Sequence, residues 1–149
     1  MATMGNLYSY FGAADDDTAL ALFGAGPQDD DFGTLGLKGA DPYDLLGDVQ
    51  AQLTGCSPET AEGSPRFGRL LSDPHDEGRW LVTLTHEVRD ALAQAGPAQL
   101  RRAADVLVDG EDTAHGWEAD LLVSFLERLA ALSREACRRQ QGLYCLMSL

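Results

Sequence analysis

The sequence contains no isoleucine, one asparagine (Asn6), one lysine (Lys38) and only 11 basic residues among 149. Against those bases stand 24 Asp and Glu, a formal charge of -13, so the chain lacks the broad Lys/Arg footprint that supplies affinity for DNA or RNA. Nucleic acid is not expected as a partner. Long apolar runs are missing too: stretches such as Leu121-Leu122-Val123 are far shorter than the ~20 residues of a spanning helix, so no membrane crossing is expected. Cysteine is sparse. Cys56, Cys137 and Cys145 have no CxxC spacing, which indicates neither a disulfide framework nor a thiolate zinc site and fits a reducing cytoplasm. The first residues show no basic region followed by an apolar stretch of about 7–15 residues, so no secretory signal is read and a cytoplasmic location is expected.

What is present suits one core. Leu, Val and Phe make 34 of the 149 residues, above the ~20% below which a charged chain defaults to disorder. A folded chain of this length buries about 70% of the surface its unfolded form exposes. Ten of the 11 bases are arginine, the pattern that a GC-rich bacterial coding sequence produces. Charge divides unevenly: residues 1–62 hold eleven acids and one base, net -10, while 63–149 hold thirteen acids and ten bases, net -3.

Leu7-Tyr8-Ser9-Tyr10-Phe11 alternates as a strand. Loop-rich chemistry is expected over about 12–40, with its glycines and two triple-aspartate runs, and over 55–79, with Pro58, Pro65 and Pro74, interrupted by a helical turn around Phe67–Leu71. Between them, Asp41-Pro42 starts a helix over 42–54, with Leu46, Val49 and Leu53 on one face and Gly55 as the stop. Trp80-Leu81-Val82 reads as extended. Thr85 caps a helix carrying Val88, Ala91, Leu92 and Ala95, which Gly96-Pro97 ends. A second helix carries Leu100 to Val108. The longest runs from about Trp117 to Arg139, with Leu122, Phe125, Leu126, Leu129, Leu132 and Ala136 as its stripe. Gly142 then releases a C-terminal strand, Leu143 to Met147. The expectation is a single α+β domain over 1–149, its helices packed on a small sheet that includes the N- and C-terminal strands.

This order of pieces resembles the YfbM-like bacterial proteins, a family of unknown function. Met4-Gly5 precedes the aromatic strand Tyr8–Phe11, and Tyr43-Asp44-Leu45-Leu46 leads to Leu53-Thr54-Gly55. Leu84-Thr85-His86-Glu87-Val88 opens a helix, and a final helix and strand occupy Leu121 to Leu149. Residues 24–40 and 56–78 fall outside the resemblance. It implies an α+β cytoplasmic fold, and it carries no activity and no site residues.

Candidate chemistry is thin. His75, His86 and His115 have no HExxH spacing, and although Glu111, His115 and Glu118 would share a helical face, Asp109-Gly110 and Gly116 weaken a helix there. Neither Asp15-Asp16-Asp17 nor Asp29-Asp30-Asp31 has the D-x-[DN]-x-[DN]-G spacing of a calcium loop, so solvated loop charge is the simpler reading. There is no G-x-S-x-G elbow, and Gly33 to Gly39 lacks the spacing of a phosphate loop. Cys137 lies near Arg134 and Arg138, but at a helix C-terminus the dipole opposes a thiolate, which favours a small core residue. No cofactor, metal or catalytic residue is called for.

Two functions remain. The leading one is a non-enzymatic binding module, inhibitor- or immunity-like, whose acidic surface at Asp15, Asp16, Asp17, Asp29, Asp30 and Asp31 captures a basic protein partner. The alternative is a small-molecule-binding protein or enzyme with a pocket under the 56–79 loop, using Trp80, His86, Glu111, His115 and Glu118. A single chain leaves oligomeric state open.

Overall fold

A computed structural model describes residues 7–25, 42–75, 78–110 and 114–148. Its elements are β1 (Leu7–Ala13), α1 (Asp16–Ala25), α2 (Leu45–Thr54), α3 (Pro58–Glu62), β2 (Arg79–Thr83), α4 (His86–Gln94), α5 (Pro97–Asp109), α6 (Ala119–Arg138) and β3 (Gly142–Ser148). The strands form one antiparallel sheet in the order β1-β3-β2, with Tyr10 and Val82 both opposite Cys145. The expected α+β class, with both terminal strands in one sheet, is what the structure has.

Burial on both sheet faces explains why the C-terminal strand reads as an unbroken apolar run. Leu143 and Cys145 join Tyr8, Tyr10 and Val82 in the main core beneath α2, α4, α5 and α6. Tyr144 and Leu146 point the other way and pack with Phe11, Ala13, Ala19 and Leu81. The helical side follows the sequence periodicity: α6 buries Leu122, Phe125, Leu126, Leu129, Ala130, Ser133 and Ala136, and Phe125 meets Tyr10 edge to face with centroids 5.6 Å apart. Ser133, polar within this stripe, donates to Leu129 O at 2.8 Å.

The second face holds what sequence periodicity did not reveal. Residues 12–40 were expected to be loop, yet α1 occupies Asp16–Ala25. Its Ala19-Leu20-Ala21-Leu22-Phe23 run has no polar residue to mark a period, so it carries no amphipathic signal. Two arginines distant in sequence hold this helix. Arg66 pairs with Asp16 in its first turn, and Arg79 donates to Phe23 O at 2.6 Å with its guanidinium 4.5 Å from the Phe23 ring centroid, a cation at the negative end of the helix dipole.

The second expected loop is also structured. Ser57 and Pro58 start the short α3, with the Thr60 amide donating to Ser57 Oγ. The helical turn expected around Phe67–Leu71 is instead a turn followed by an extended segment along the outer edge of β2. Gly68 N donates to Thr83 O, Thr83 N to Arg69 O and Leu71 N to Leu81 O, satisfying an edge that would otherwise invite pairing. Gly68 has φ +58, and a Cβ there would fall 2.3 Å from the Tyr43 ring, so only glycine fits. α2 begins at Leu45, three residues later than expected, because Pro42 to Asp44 form a turn; Asp41 lies outside the described residues.

Thr85 does what its position promised. The Val88 amide donates to its hydroxyl at 3.0 Å, and that hydroxyl donates to buried Gln50 Oε1 at 2.6 Å, tying α4 to α2. Thr85→Ala should therefore cost about 1–3 kcal/mol, the loss of a cap plus a buried acceptor left without its donor, while Thr85→Ser, which keeps the hydroxyl, should recover most of it. Urea denaturation measures both; equal losses would show that the methyl group, not the hydroxyl, matters.

Candidate functional site

The first aspartate run is a helix start. Asp15 accepts from the Thr18 amide at 2.7 Å, and these Thr18 hydrogen bonds hold its carboxyl below the usual carboxylate range. Asp16 and Asp17 occupy the first turn, where the dipole favours negative charge. The three side chains meet different surroundings. Asp15 and Asp17 are exposed and make no ion pair among the described residues. Asp16 faces inward, takes Arg66 Nη2 on Oδ1 at 3.1 Å and Arg66 Nη1 on Oδ2 at 3.5 Å, and accepts the Tyr144 hydroxyl on Oδ1 at 2.7 Å.

This clasp joins residues 50 and 128 positions apart in the chain. The Arg66 hydrogen bond holds the Asp16 carboxyl below its ordinary range, outweighing the opposing effect of burial. Tyr144 is pushed up to about 12, first by burial and then by Asp16. Burial lowers Arg66, but the hydrogen bond and charge of Asp16 more than offset it and leave its pKa raised. The Arg66 guanidinium lies 5.8 Å from the Tyr144 ring centroid, and Phe11 stacks on that ring at 5.7 Å. Arg66 Nε is buried without a hydrogen-bond partner among the described residues.

Beside the clasp opens a cleft of about 440 Å³, lined by residues 14–17, Arg66, His86, Arg89, residues 140–142 and Tyr144. Its far wall is the first turn of α4 and the turn from α6 into β3. Arg89 donates through Nε to Asp90 Oδ1 and through Nη1 to Gln141 O, both at 2.9 Å; its Nη2 has no acceptor among the described residues. His86 is kept below its ordinary pKa by burial first, then by Arg89 and Arg66, so it is neutral at physiological pH. Gly142 leaves a gap between walls: a Cβ there would lie 3.5 Å from Tyr144 Oη and 3.6 Å from His86 Nε2.

Of the residues singled out in the sequence, Asp15, Asp16, Asp17 and His86 line this cleft. The reading of the run as solvated loop charge is corrected for Asp16, which is paired. Asp29, Asp30, Asp31 and Glu111 lie outside the described residues. Trp80 pairs with Met147 and shares the helical face of the sheet with Val82, two residues on, the face away from the Tyr144 side chain. His115 is exposed, with Nδ1 2.5 Å from Gly110 O, and Glu118 immediately precedes α6; neither lines the cleft. From residues 56–79 the cleft takes Arg66 alone. Arg66, Arg89, Gly142 and Tyr144 were not singled out as site residues, because pairings across 50 and 128 positions leave no local spacing to find.

Among the described residues the lining has no serine or cysteine nucleophile, and Tyr144, its proton committed to Asp16, is no base near neutral pH. Cys137 lies outside this lining and its thiol is pushed up, chiefly by burial. The arrangement is suited to holding a polar ligand between charges of opposite sign.

The clasp sets a pH signature. Asp16 has a folded pKa below its ordinary 3.8, so its contribution is complete above that value and is lost as pH falls through the lower folded one. Tyr144 is raised from 10.0 to about 12, so its contribution is complete below 10 and is lost as pH rises through 12. Tyr144→Phe removes a hydroxyl bond to a carboxylate and should cost about 1.5–3 kcal/mol at neutral pH. The stability gap from wild type should narrow below about pH 4 and above about pH 10; urea midpoints across pH measure it, and a constant gap would contradict the clasp.

No family model matches the chain, and no curated protein matches it. Among solved structures the chain is similar to that of YfbM, a protein of unknown function from Escherichia coli, over 98% of this chain and 100% of that one, at 15% identity and a TM-score of 0.38. YfbM is the namesake of the family that the sequence resembles.

Proposed function

We propose that this chain is a non-catalytic binding protein of the cytoplasm whose ligand, a small polar molecule, occupies the cleft between the first turns of α1 and α4 and the turn into β3. The observation that carries this reading is a cavity of about 440 Å³ with charged side chains of both signs on its walls and, among the described residues, neither serine nor cysteine in its lining. The volume falls within the ~300–1,000 Å³ of small-ligand sites, which are recognised by a few convergent polar groups. Of the described loop residues 56–79, Arg66 contributes to this site.

A second reading, capture of a basic protein in an inhibitor- or immunity-like role, is favoured by Asp15 and Asp17, which are exposed and make no ion pair among the described residues. The net -10 of residues 1–62 would steer a cationic partner towards them. It has less support than the aspartate runs suggested, because Asp16 is neutralised by Arg66.

Native mass spectrometry of the chain purified gently from host extract tests both readings. The expected result is a small-molecule adduct on the wild type that is depleted in Gly142→Ala, whose added methyl narrows the cleft. A bare chain that instead retains a stoichiometric basic protein, released by salt and lost in the double variant Asp15→Asn with Asp17→Asn, would overturn the first reading in favour of the second.

A further inference from the structure

We propose that the exposed face of α6 is an interface on which a second copy of this chain packs antiparallel about a two-fold axis. Glu127, Ala131 and Arg134 stand at i, i+4 and i+7 and so share one side of the helix, and all three are exposed. Asp120 and Arg138, which extend that side at its two ends, are answered within the chain by Arg101 and Glu135. Glu127 and Arg134 make no ion pair among the described residues, and a spacing of about 10 Å along the helix keeps them from pairing with each other. Between α6 and the turn from α4 into α5 opens a groove of about 270 Å³, lined by these two side chains together with Ala95, Pro97 and Leu100. None of these five residues lines the cleft.

An acid and a base two turns apart on one face are complementary to their own antiparallel copy. A two-fold axis near Ala131 sets Glu127 of each copy against Arg134 of the partner subunit, so the same pair is made twice, as an isologous interface requires. The single methyl of Ala131 lets the two helix axes approach to the ~8–10 Å of packed helices. The groove then receives the apolar stem of an arginine against Pro97 and Leu100. Charge also singles out this surface within the molecule. The whole chain carries -13, whereas α6 balances Asp120, Glu127 and Glu135 with Arg128, Arg134 and Arg138. Two acidic copies therefore meet here without adding to their repulsion, and a basic protein finds no excess of negative charge to select it. One exposed ion pair contributes little, so two pairs and two shallow grooves predict a weak dimer, with a Kd of about 10–100 μM.

Sedimentation velocity of the full chain from about 5 to 500 μM tests this. The wild type should pass from monomer to dimer across that range. Glu127→Arg leaves the face with two bases and Arg134→Glu leaves it with two acids, so each single variant should lose at least about tenfold in self-association. Both positions are exposed, so both variants should fold. An equimolar mixture of the two singles should associate again, because each face then meets its opposite, and the double variant Glu127→Arg with Arg134→Glu should return to within about threefold of the wild type. A wild type that stays monomeric at 500 μM would overturn the proposal. So would a dimer that either single variant leaves intact, or single variants that neither the mixture nor the double variant restores.

Discussion

The fold's second face depends on one interaction, the hydrogen-bonded cluster of Asp16, Arg66 and Tyr144. It brings together the start of α1, the segment that covers the edge of β2, and the central strand β3. Pairing partly buried charges is costly unless their remaining hydrogen-bonding capacity is used. Here Asp16 accepts from two guanidinium nitrogens and a hydroxyl, and charge-assisted bonds of this kind are the stronger ones. Without it, the first turn of α1 would present another unpaired carboxylate and Tyr144 would bury a hydroxyl with no acceptor. The cleft would lose its floor.

Charge thus has a structural role beyond solubility. The acidic first part of the chain is docked by arginines from the second: Arg66 reaches the negative first turn of α1, and Arg79 reaches the carbonyl of Phe23 near its end. Both contacts act beside the smaller hydrophobic cluster, in which Phe11, Ala19, Leu81, Tyr144 and Leu146 are buried. That cluster is too small to orient α1 by burial alone in the way the main core orients α6, so directional polar contacts supply what apolar area does not.

Legibility in the sequence follows the range of the interaction. Thr85 as a cap, the stripe of α6 and the two terminal strands depend on neighbours a few residues away or on simple periodicity, and each was readable. α1 was not, because an apolar run with no polar face has no period. Neither was the segment beside β2, whose extended form is dictated by pairing with a strand about ten residues later rather than by its own proline and glycine content. At the site, His86 was singled out for its residue type but placed with Trp80, His115 and Glu118, none of which lines the cleft. Asp16 was identified as charge, whereas its partners, Arg66 and Tyr144, are brought to it only by tertiary packing.

A double-mutant cycle between Asp16→Asn and Arg66→Gln, read by urea denaturation at neutral pH and low salt, tests the central claim most directly. The clasp predicts that the two losses are not independent, with a coupling of about 1 kcal/mol or more. Losses that add to within about 0.5 kcal/mol would contradict it, reducing the pair to two neighbouring charges and leaving the cleft without the interaction that builds it.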